Sequence, residues 1–228
     1  MDVLPNIDSL LYVDTDTLFL VPPENVWRNF AKFTTRQLAA MTPEGEDPVN
    51  NWYSRFSRHP YYEPTGLNSG VMLMNLTRMR AFKWTDRLWP IYEKYRLNMT
   101  WGDQDIINVI FNKHRDRVHV YTCDWNYRPD HCIYTSNCKQ AEIDGVKVVH
   151  GNRGWFHKPD KQPTFKAIYG VFRDYRIGSD LDANLLRPLA RALRSVTNDQ
   201  TPCHKQHRMF LTQLDTYVKH HPHPPLVT

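Results

Sequence analysis

A short apolar run that stops at two aspartates constrains this chain more than any other feature. Leu10–Val13 supplies consecutive large apolar residues, and Asp14 and Asp16 follow directly. Such a run, bounded by polar residues, predicts a strand buried on both faces of a parallel sheet. Alternation along an extended backbone would place both carboxylates on one side, where they repel each other unless a cation lies between them. The pattern therefore predicts a site for a hard divalent cation at the carboxyl end of a strand.

Two further D-x-D triplets show how specific this pattern is. Asp180 and Asp182 lie in a polar stretch that predicts a helix cap. Asp103 and Asp105 lie where a helix with apolar periodicity begins, and an aspartate at position 103 is typical of an N-cap that can also face a pocket. Of the three triplets, the first is the one that directly follows an apolar strand, so its functional interpretation rests on that position.

Bulk composition narrows the class of protein. The chain has 228 residues, 41% of them hydrophobic, which is enough for one sizeable core and excludes global disorder. The net charge of +5 permits anionic partners, but the basic residues are scattered among 24 acidic ones. Without a run of like charge, a nucleic-acid partner is not expected.

The cysteines and sequons indicate a secretory protein, although the sequence shows neither a signal peptide nor a membrane-spanning segment. The chain contains two acceptor sequons for N-glycosylation, at Asn75 and Asn98, and an even set of cysteines without a C-x-x-C pair. This cysteine pattern favours disulfides over zinc and leaves three connectivities open. We therefore expect a secretory lumen, with the targeting segment outside this chain. The cysteines are Cys123, Cys132, Cys138 and Cys203.

Alternating apolar strands and helices predict an α/β fold. A second apolar strand runs over 66–75 behind a glycine-flanked turn, and a third over 146–149 ends at His150, a second metal-competent group at a strand end. The aromatic, proline-rich stretch 42–65 predicts either a functional loop that lines an acceptor-sugar site or a hydrophobic plug over the sheet. Helices are expected to dominate beyond Thr164.

The predicted domain organisation has three parts. Residues 1–175 are expected to form the α/β domain with the candidate metal ligands, 176–219 a C-terminal helical extension and 220–228 a disordered Pro/His-rich tail. The first strand looks central although it starts almost at Met1, so amino-terminal strands are expected to be missing from this chain.

Four ordered motifs resemble those of family 8 retaining glycosyltransferases, the glycogenin-like group with a GT-A fold. More narrowly, 11–17, 52–56, 126–132 and 150–154 resemble the glucoside xylosyltransferases, and this likeness extends from about residue 8 to residue 220. The four motifs are Asp14-Thr15-Asp16, Asn68-Ser69-Gly70, Gly102-Asp103-Gln104-Asp105 and His150-Gly151-Asn152-Arg153-Gly154.

The resemblance implies transfer of xylose from UDP-xylose, in α1,3 linkage, onto O-linked β-glucose on EGF-like repeats of Notch-type proteins. It also implies a type II membrane protein of the secretory pathway, held by an anchor that this chain does not contain. Mn2+ is the implied cofactor, with Mg2+ as the alternative.

The same resemblance assigns roles to individual residues. The implied diphosphate-binding lysine is Lys161, with Lys158 as the alternative. Asp103 would position and stabilise the reacting sugar during same-face attack. The implied metal ligands are Asp14, Asp16 and His150; the donor contacts are Asn68, Ser69, Gly70 and Gly154; and the residues beside the sugar ring are Asp103 and Gln104.

Two other functions fit part of the pattern. A metal-dependent phosphoesterase also uses strand-end carboxylates and a histidine, but it would normally need more carboxylates and leaves the Asn-Ser-Gly and Gly-Asp-Gln-Asp segments without a task. A non-catalytic carbohydrate-binding or decoy protein is the alternative from a different class.

Overall fold

The computed structural model describes residues 3–158, 161–197 and 199–221. Within these residues the chain forms two compact units. The first is built from the described residues up to Asp14 and from Pro23–Thr122, and the second from Thr15–Pro22 and the described residues from Cys123 onward. The two compact units do not coincide with the domains expected from the sequence. The expected domain boundaries after residues 175 and 219 stay predictions.

Short strands form a separate sheet in each unit. In the first unit the order is β1-β4-β3-β5, with β4 antiparallel to both its neighbours and β3 parallel to β5. In the second unit β2 pairs antiparallel with β6. The strands are β1 (Ser9–Val13), β2 (Thr17–Phe19), β3 (Ala39–Pro43), β4 (Leu67–Asn75), β5 (Val118–Val120) and β6 (Val148–His150).

The first strand differs from its prediction. β1 occupies the end of the sheet order and pairs antiparallel with β4, so it is not a strand buried on both faces of a parallel sheet. Having one hydrogen-bonded neighbour in the described sheet, it leaves Tyr12 39% and Val13 36% exposed. An apolar run alone cannot distinguish a central strand from an end strand, because both need apolar residues on the face that packs.

The α/β class is confirmed, with helices and short 3-10 turns between the strands. The helix predicted to begin near Asp103 forms, and helices also follow Pro23 and Lys83. The α-helices are α1 (Glu24–Trp27), α2 (Trp52–Phe56), α3 (Leu76–Ala81), α4 (Trp84–Tyr95), α5 (Asp103–Lys113), α6 (Lys139–Asp144), α7 (Pro163–Asp174), α8 (Arg187–Ser195), α9 (Pro202–Lys205) and α10 (Met209–His220), and a π-helical turn, Asp182–Leu186, precedes α8.

The core of the first unit lies between its sheet and α5. Leu67 and Met72 of β4 are buried, and they share one cluster with Ile110 and Phe111 of α5. In α4 the apolar stripe is only partly buried: Trp84 is buried, but Trp89 is 66% exposed. The apolar stripe of α4 is therefore wider than the face that packs.

The second unit packs its helices around two disulfides. Cys123 is bonded to Cys138, and Cys132 is bonded to Cys203. All four cysteines belong to one buried cluster with Phe165 of α7. The disulfides expected from the sequence are thus confirmed, and the structure selects one of the three open connectivities.

The carboxyl-terminal part of the chain is helical, as expected beyond Thr164. Of the predicted disordered tail, His220 ends α10, and residues 222–228 lie outside the described residues. None of the helices in the described ranges combines the length and the apolar character that a membrane crossing requires.

Candidate active site

Asp16 and His150 face each other because β2 and β6 pair. Thr17 is the register partner of His150, so Asp16 lies directly beyond the end of β6. The backbone N–H of Gly151 donates to the Asp16 carbonyl at 2.7 Å. His150 Nε2 lies 3.2 Å from Asp16 Oδ1, and this contact with the imidazole lowers the pKa of Asp16. The local strand pairing therefore presents an ionised carboxylate and an imidazole nitrogen side by side.

Asn126 fixes the orientation of the His150 ring. His150 is 2% exposed, and its Nδ1 lies 2.8 Å from Asn126 Oδ1. Because an amide oxygen can only accept, Nδ1 carries a hydrogen in this arrangement, and Nε2 is the ring nitrogen that faces Asp16. Histidine ligands of metals are generally held in this way by a second hydrogen bond.

Asp14 completes a group of three possible metal ligands. Its backbone N–H donates to the carbonyl of Gly70 at 2.9 Å, and its carboxylate accepts from the Tyr12 hydroxyl at 3.0 Å. Asp14, Asp16 and His150 each offer one ligand atom, and these three atoms lie within 4.8 Å of one another. Two carboxylate oxygens and one imidazole nitrogen suit a divalent cation. The three residues predicted as metal ligands are therefore brought together.

Burial and the neighbouring Asp14 carboxylate raise the pKa of the Tyr12 phenol to about 12. The Tyr12 hydroxyl consequently stays protonated and remains a hydrogen-bond donor to Asp14 throughout the physiological range.

A second group of predicted residues meets within the first unit, at the beginning of β4. Gln104 Oε1 accepts from the backbone N–H of Ser69 at 3.0 Å, while its Nε2 donates to Glu44 Oε2 at 3.3 Å. Asn68 Nδ2 donates to the same Glu44 oxygen at 2.6 Å, and Asn68 Oδ1 accepts from the N–H of Gly70 at 2.9 Å. Glu44, which the sequence did not single out, thus bridges two residues that it did.

The first turn of α5 is anchored by a buried ion pair. Asp105 is fully buried and accepts from the backbone N–H groups of Thr100 and Trp101 and from the Tyr53 hydroxyl at 2.7, 2.6 and 2.9 Å. His59 Nε2 lies 3.2 Å from its Oδ1. The D-x-D spacing drew attention to Asp105, but its side-chain partners, Tyr53 and His59, come from the distant 42–65 stretch.

Burial and contacts with neighbouring groups act in opposite directions on the pKa values of Asp105 and His59. Burial alone would raise the pKa of Asp105, but the His59 imidazole and three donors outweigh burial and lower it. Burial likewise opposes the charged form of His59, yet the Asp105 carboxylate and the Pro60 carbonyl raise its pKa. These contacts favour the charged form of each partner, and Asp105 holds Tyr53 and the start of α5 in place through its hydrogen bonds.

The stretch 42–65 therefore contributes a plug over the first-unit sheet. Its α2 carries Tyr53, which is 1% exposed. The Tyr53 ring fits against Gly66, whose φ of 78° and close approach leave no room for a side chain. This observation favours the plug over the acceptor-lining loop for Tyr53.

Asp103 lies in the first turn of α5 but does not cap it. The N-cap is Gly102, with a φ of 65°, and Asp103 is the first helical residue. Its exposed carboxylate accepts from the N–H of Gln104 at 2.9 Å. The cap prediction was wrong because the left-handed backbone that begins this helix favours glycine. Asp103 is left facing solvent, where a substrate can reach it.

The turn after His150 carries three successive residues with positive φ, Asn152, Arg153 and Gly154. Arg153 pairs with Asp130, and Lys158 Nζ donates to the Arg153 carbonyl at 2.8 Å. Lys161 is exposed. Lys158 is thus tied to this turn. Which of Lys158 and Lys161 binds the diphosphate stays a prediction, as does the role of Gly154 as a donor contact.

Comparison of the chain with known proteins identifies its family. The model described as glycosyl transferase family 8 matches residues 1–155. Glucoside xylosyltransferase 1 of Danio rerio is 53% identical over 95% of this chain and 56% of its own length, and that of Gallus gallus is 48% identical over 95% and 52%. The crystal structure of mouse xyloside xylosyltransferase 1 in its apo form is 27% identical, with a TM-score of 0.49, over 67% of this chain and 61% of that one.

This chain spans about half the length of the curated relatives that it matches. The family match nevertheless covers more than half of the chain and includes Asp14, Asn68, Asp103 and His150. The chain belongs to glycosyl transferase family 8.

Proposed function

We propose that this chain carries the catalytic machinery of a retaining glycosyltransferase that moves xylose from UDP-xylose, in α1,3 linkage, onto O-linked β-glucose on EGF-like repeats of Notch-type proteins. The observation that carries the proposal is the group Asp14, Asp16 and His150 in a family 8 chain. The relatives named glucoside xylosyltransferase 1 support the choice of sugar and acceptor.

Asp14, Asp16 and His150 would hold the cofactor, Mn2+ with Mg2+ as the alternative. The bound cation would offset the negative charge that develops on the diphosphate leaving group. The lowered pKa of Asp16 keeps its carboxylate in the ionised form that a ligand requires. The hydrogen bond from His150 Nδ1 to Asn126 keeps Nε2 directed at the same point.

The network at the start of β4 would orient the donor sugar. Every polar atom of the Gln104 amide is engaged, by Ser69 on one side and by Glu44 and Tyr53 on the other. A side chain held in this way positions a substrate better than it attacks one. Asn68, Ser69 and Gly70 are the proposed donor contacts, with Gly154 and Lys161 on the diphosphate side.

Retention of configuration is proposed to follow from same-face attack. Asp103 would stabilise the developing positive charge of the sugar electrostatically, because its carboxylate is exposed at the start of α5, where a ligand can approach it. A glycosyl-enzyme adduct trapped on Asp103 would contradict this role.

The proposed setting is the lumen of the secretory pathway. Two disulfides support an oxidising compartment, and the glucose-bearing repeats that would serve as acceptors belong to secreted or cell-surface proteins. Attachment through a type II membrane anchor belongs to the same proposal.

The test measures UDP release from UDP-xylose with Mn2+, with and without a glucose-bearing EGF repeat, alongside UDP binding by calorimetry. We expect acceptor-dependent release that Asp16→Asn abolishes, whereas Asp215→Asn, which removes an exposed carboxylate on α10, leaves release unchanged. Mn2+-dependent UDP binding without release would favour the carbohydrate-binding alternative. Hydrolysis of phosphate esters with no transfer would favour the phosphoesterase, which the single metal-competent group in the described residues does not support.

A further inference from the structure

A basic cavity lies beyond the far end of β4, in the first unit. Its volume is about 490 Å³. Its lining includes the apolar residues Leu38 and Phe82 and the basic residues Arg36, Arg78, Lys83, Arg87, His114 and Arg117. These residues come from the segments around α3, α4 and β5, so the fold rather than a run in the sequence assembles them.

Two of the guanidinium groups are held by backbone carbonyls instead of carboxylates. Arg78 Nη1 donates to the carbonyls of Thr34 and Gln37 at 2.7 and 2.8 Å. Arg87 Nε donates to the Phe82 carbonyl at 3.0 Å, and its guanidinium carbon lies 4.0 Å from the centre of the Phe82 ring. Each group is thereby oriented without being neutralised, and each has donors left over, because a guanidinium carries five N–H bonds.

Positive charge in the cavity is balanced only in part. Asp116 pairs with Arg36 at 2.8 Å and lies 3.7 Å from Arg117. Arg78, Lys83 and Arg87 have no carboxylate partner among residues 3–158, 161–197 and 199–221. Burial and the charges of Arg87 and Arg117 lower the pKa of His114, which reports the same positive field.

The basic cavity is separate from the donor contacts proposed above. Asn68 lies near the beginning of β4, whereas Arg78 follows its last residue, Asn75. Asn75 lies seven positions after Asn68 along the extended strand, which corresponds to about 24 Å. The cavity therefore cannot be the place where the Asn68–Gln104 network receives a nucleotide sugar.

We propose that the basic cavity binds a phosphate or sulfate group carried on a small polar molecule. Guanidinium groups bind phosphate-type oxyanions through bidentate hydrogen bonds, and donors that converge from several segments can engage several oxygens of a tetrahedral group at once. The volume exceeds what one free oxyanion needs and falls in the range of small-molecule sites, which favours an ester over the bare ion. This inference is independent of the proposed transferase activity.

The test is calorimetric titration with glucose 6-phosphate, glucose 6-sulfate, inorganic phosphate and glucose. The buffer contains chelator, so that no cation bound by Asp16 and His150 attracts the anions, and its ionic strength is kept constant with chloride. We expect both esters to bind and glucose not to bind. Inorganic phosphate binding as tightly as the esters would identify the free ion as the ligand of the same cavity.

Two variants assign the binding to the cavity. Arg87→Gln is expected to weaken ester binding at least about tenfold, since it removes charged hydrogen bonds. Lys83→Gln is expected to weaken it as well, and folding is not at stake there because the side chain is exposed. The matched control, Arg176→Gln, removes an exposed positive charge from the second unit and should bind as the parent does. Absence of ester binding, or equal loss in Lys83→Gln and Arg176→Gln, would overturn the proposal.

Discussion

Asn126 acts on the candidate metal site through His150 and not by direct ligation. It lies in the 3-10 turn Cys123–Asn126 and is fully buried. Replacing it by alanine removes the acceptor for His150 Nδ1–H, which allows the ring to rotate and to change tautomer. We expect Asn126→Ala to lower the affinity for Mn2+ by about 10–100-fold, measured by titration of the metal.

The conservative variant separates positioning from packing. Asn126→Asp retains an acceptor at the same place and should keep the metal affinity within a few-fold of the parent value. If Asn126→Asp loses as much affinity as Asn126→Ala, or if neither loses any, Asn126 does not orient His150.

At this scale the sequence indicated the candidate ligands but not the residues that support them. Asp14, Asp16 and His150 could be predicted because strand ends collect ligands, and the fold does bring the three together. Asn126 and Glu44 could not, because each acts through a partner far away in the chain, and a polar residue in a loop carries no local signature of such a partner. The motif 126–132 contains Asn126, but its hydrogen bond with His150 is visible only in the three-dimensional fold.

Helices α2 and α5 are joined by one hydroxyl group. The Tyr53 hydroxyl donates to Asp105 Oδ1 at 2.9 Å and accepts from Asn108 Nδ2 at 3.1 Å and Gln104 Nε2 at 3.3 Å. Tyr53→Phe leaves these buried groups without their shared partner. We expect the free energy of unfolding to fall by about 1–3 kcal/mol, measured by urea denaturation.

Tyr61→Phe is the matched control. Its ring lies 5.3 Å from that of Tyr53, but its hydroxyl forms no hydrogen bond with any residue that the structure describes. A change below about 0.5 kcal/mol is therefore expected. Equal losses in the two variants would show that ring packing, and not the Tyr53 hydroxyl, joins the helices.

The existence of these elements was more predictable than their environment. The helix after Gly102 could be predicted from Ile107, Ile110 and Phe111, which are buried as their spacing requires. The position of β1 at the end of an antiparallel pair could not, since strand order depends on partners from elsewhere in the chain. Trp89 shows the same limit: helical spacing identifies an apolar stripe but not how much of it another element covers.

The two disulfides close loops of very different length in the second unit. Cys123–Cys138 spans 15 residues and Cys132–Cys203 spans 71. Chain-entropy arguments give about 3 kcal/mol for the shorter loop and about 4 kcal/mol for the longer one. We therefore expect the Cys132→Ser/Cys203→Ser double variant to be less stable than the Cys123→Ser/Cys138→Ser double variant. Denaturation of each variant under oxidising conditions measures this difference.

The Cys123→Ser/Cys138→Ser double variant serves as the comparison, and it is expected to lose less of the free energy of unfolding. The reverse order would show that local packing around Cys123, and not the length of chain restrained, dominates the contribution.

At the scale of the whole molecule, the α/β class followed from alternating apolar strands and helices, and the family followed from four ordered motifs. The observed elements confirm the class, and the family match confirms the family. The division into two compact units did not follow from the sequence. It depends on Thr15–Pro22 joining β6 and the carboxyl-terminal helices, which is a long-range pairing that no local pattern encodes.

The turn that holds Asn126 begins at Cys123, so the shorter disulfide restrains the residue that orients His150. Cation affinity and thiol redox state are consequently coupled by linkage: reduction of Cys123–Cys138 should weaken the bound ion, and the bound ion should make that bond harder to reduce by the same factor. A chain produced in a reducing compartment would then retain every ligand of the site and still bind its metal poorly.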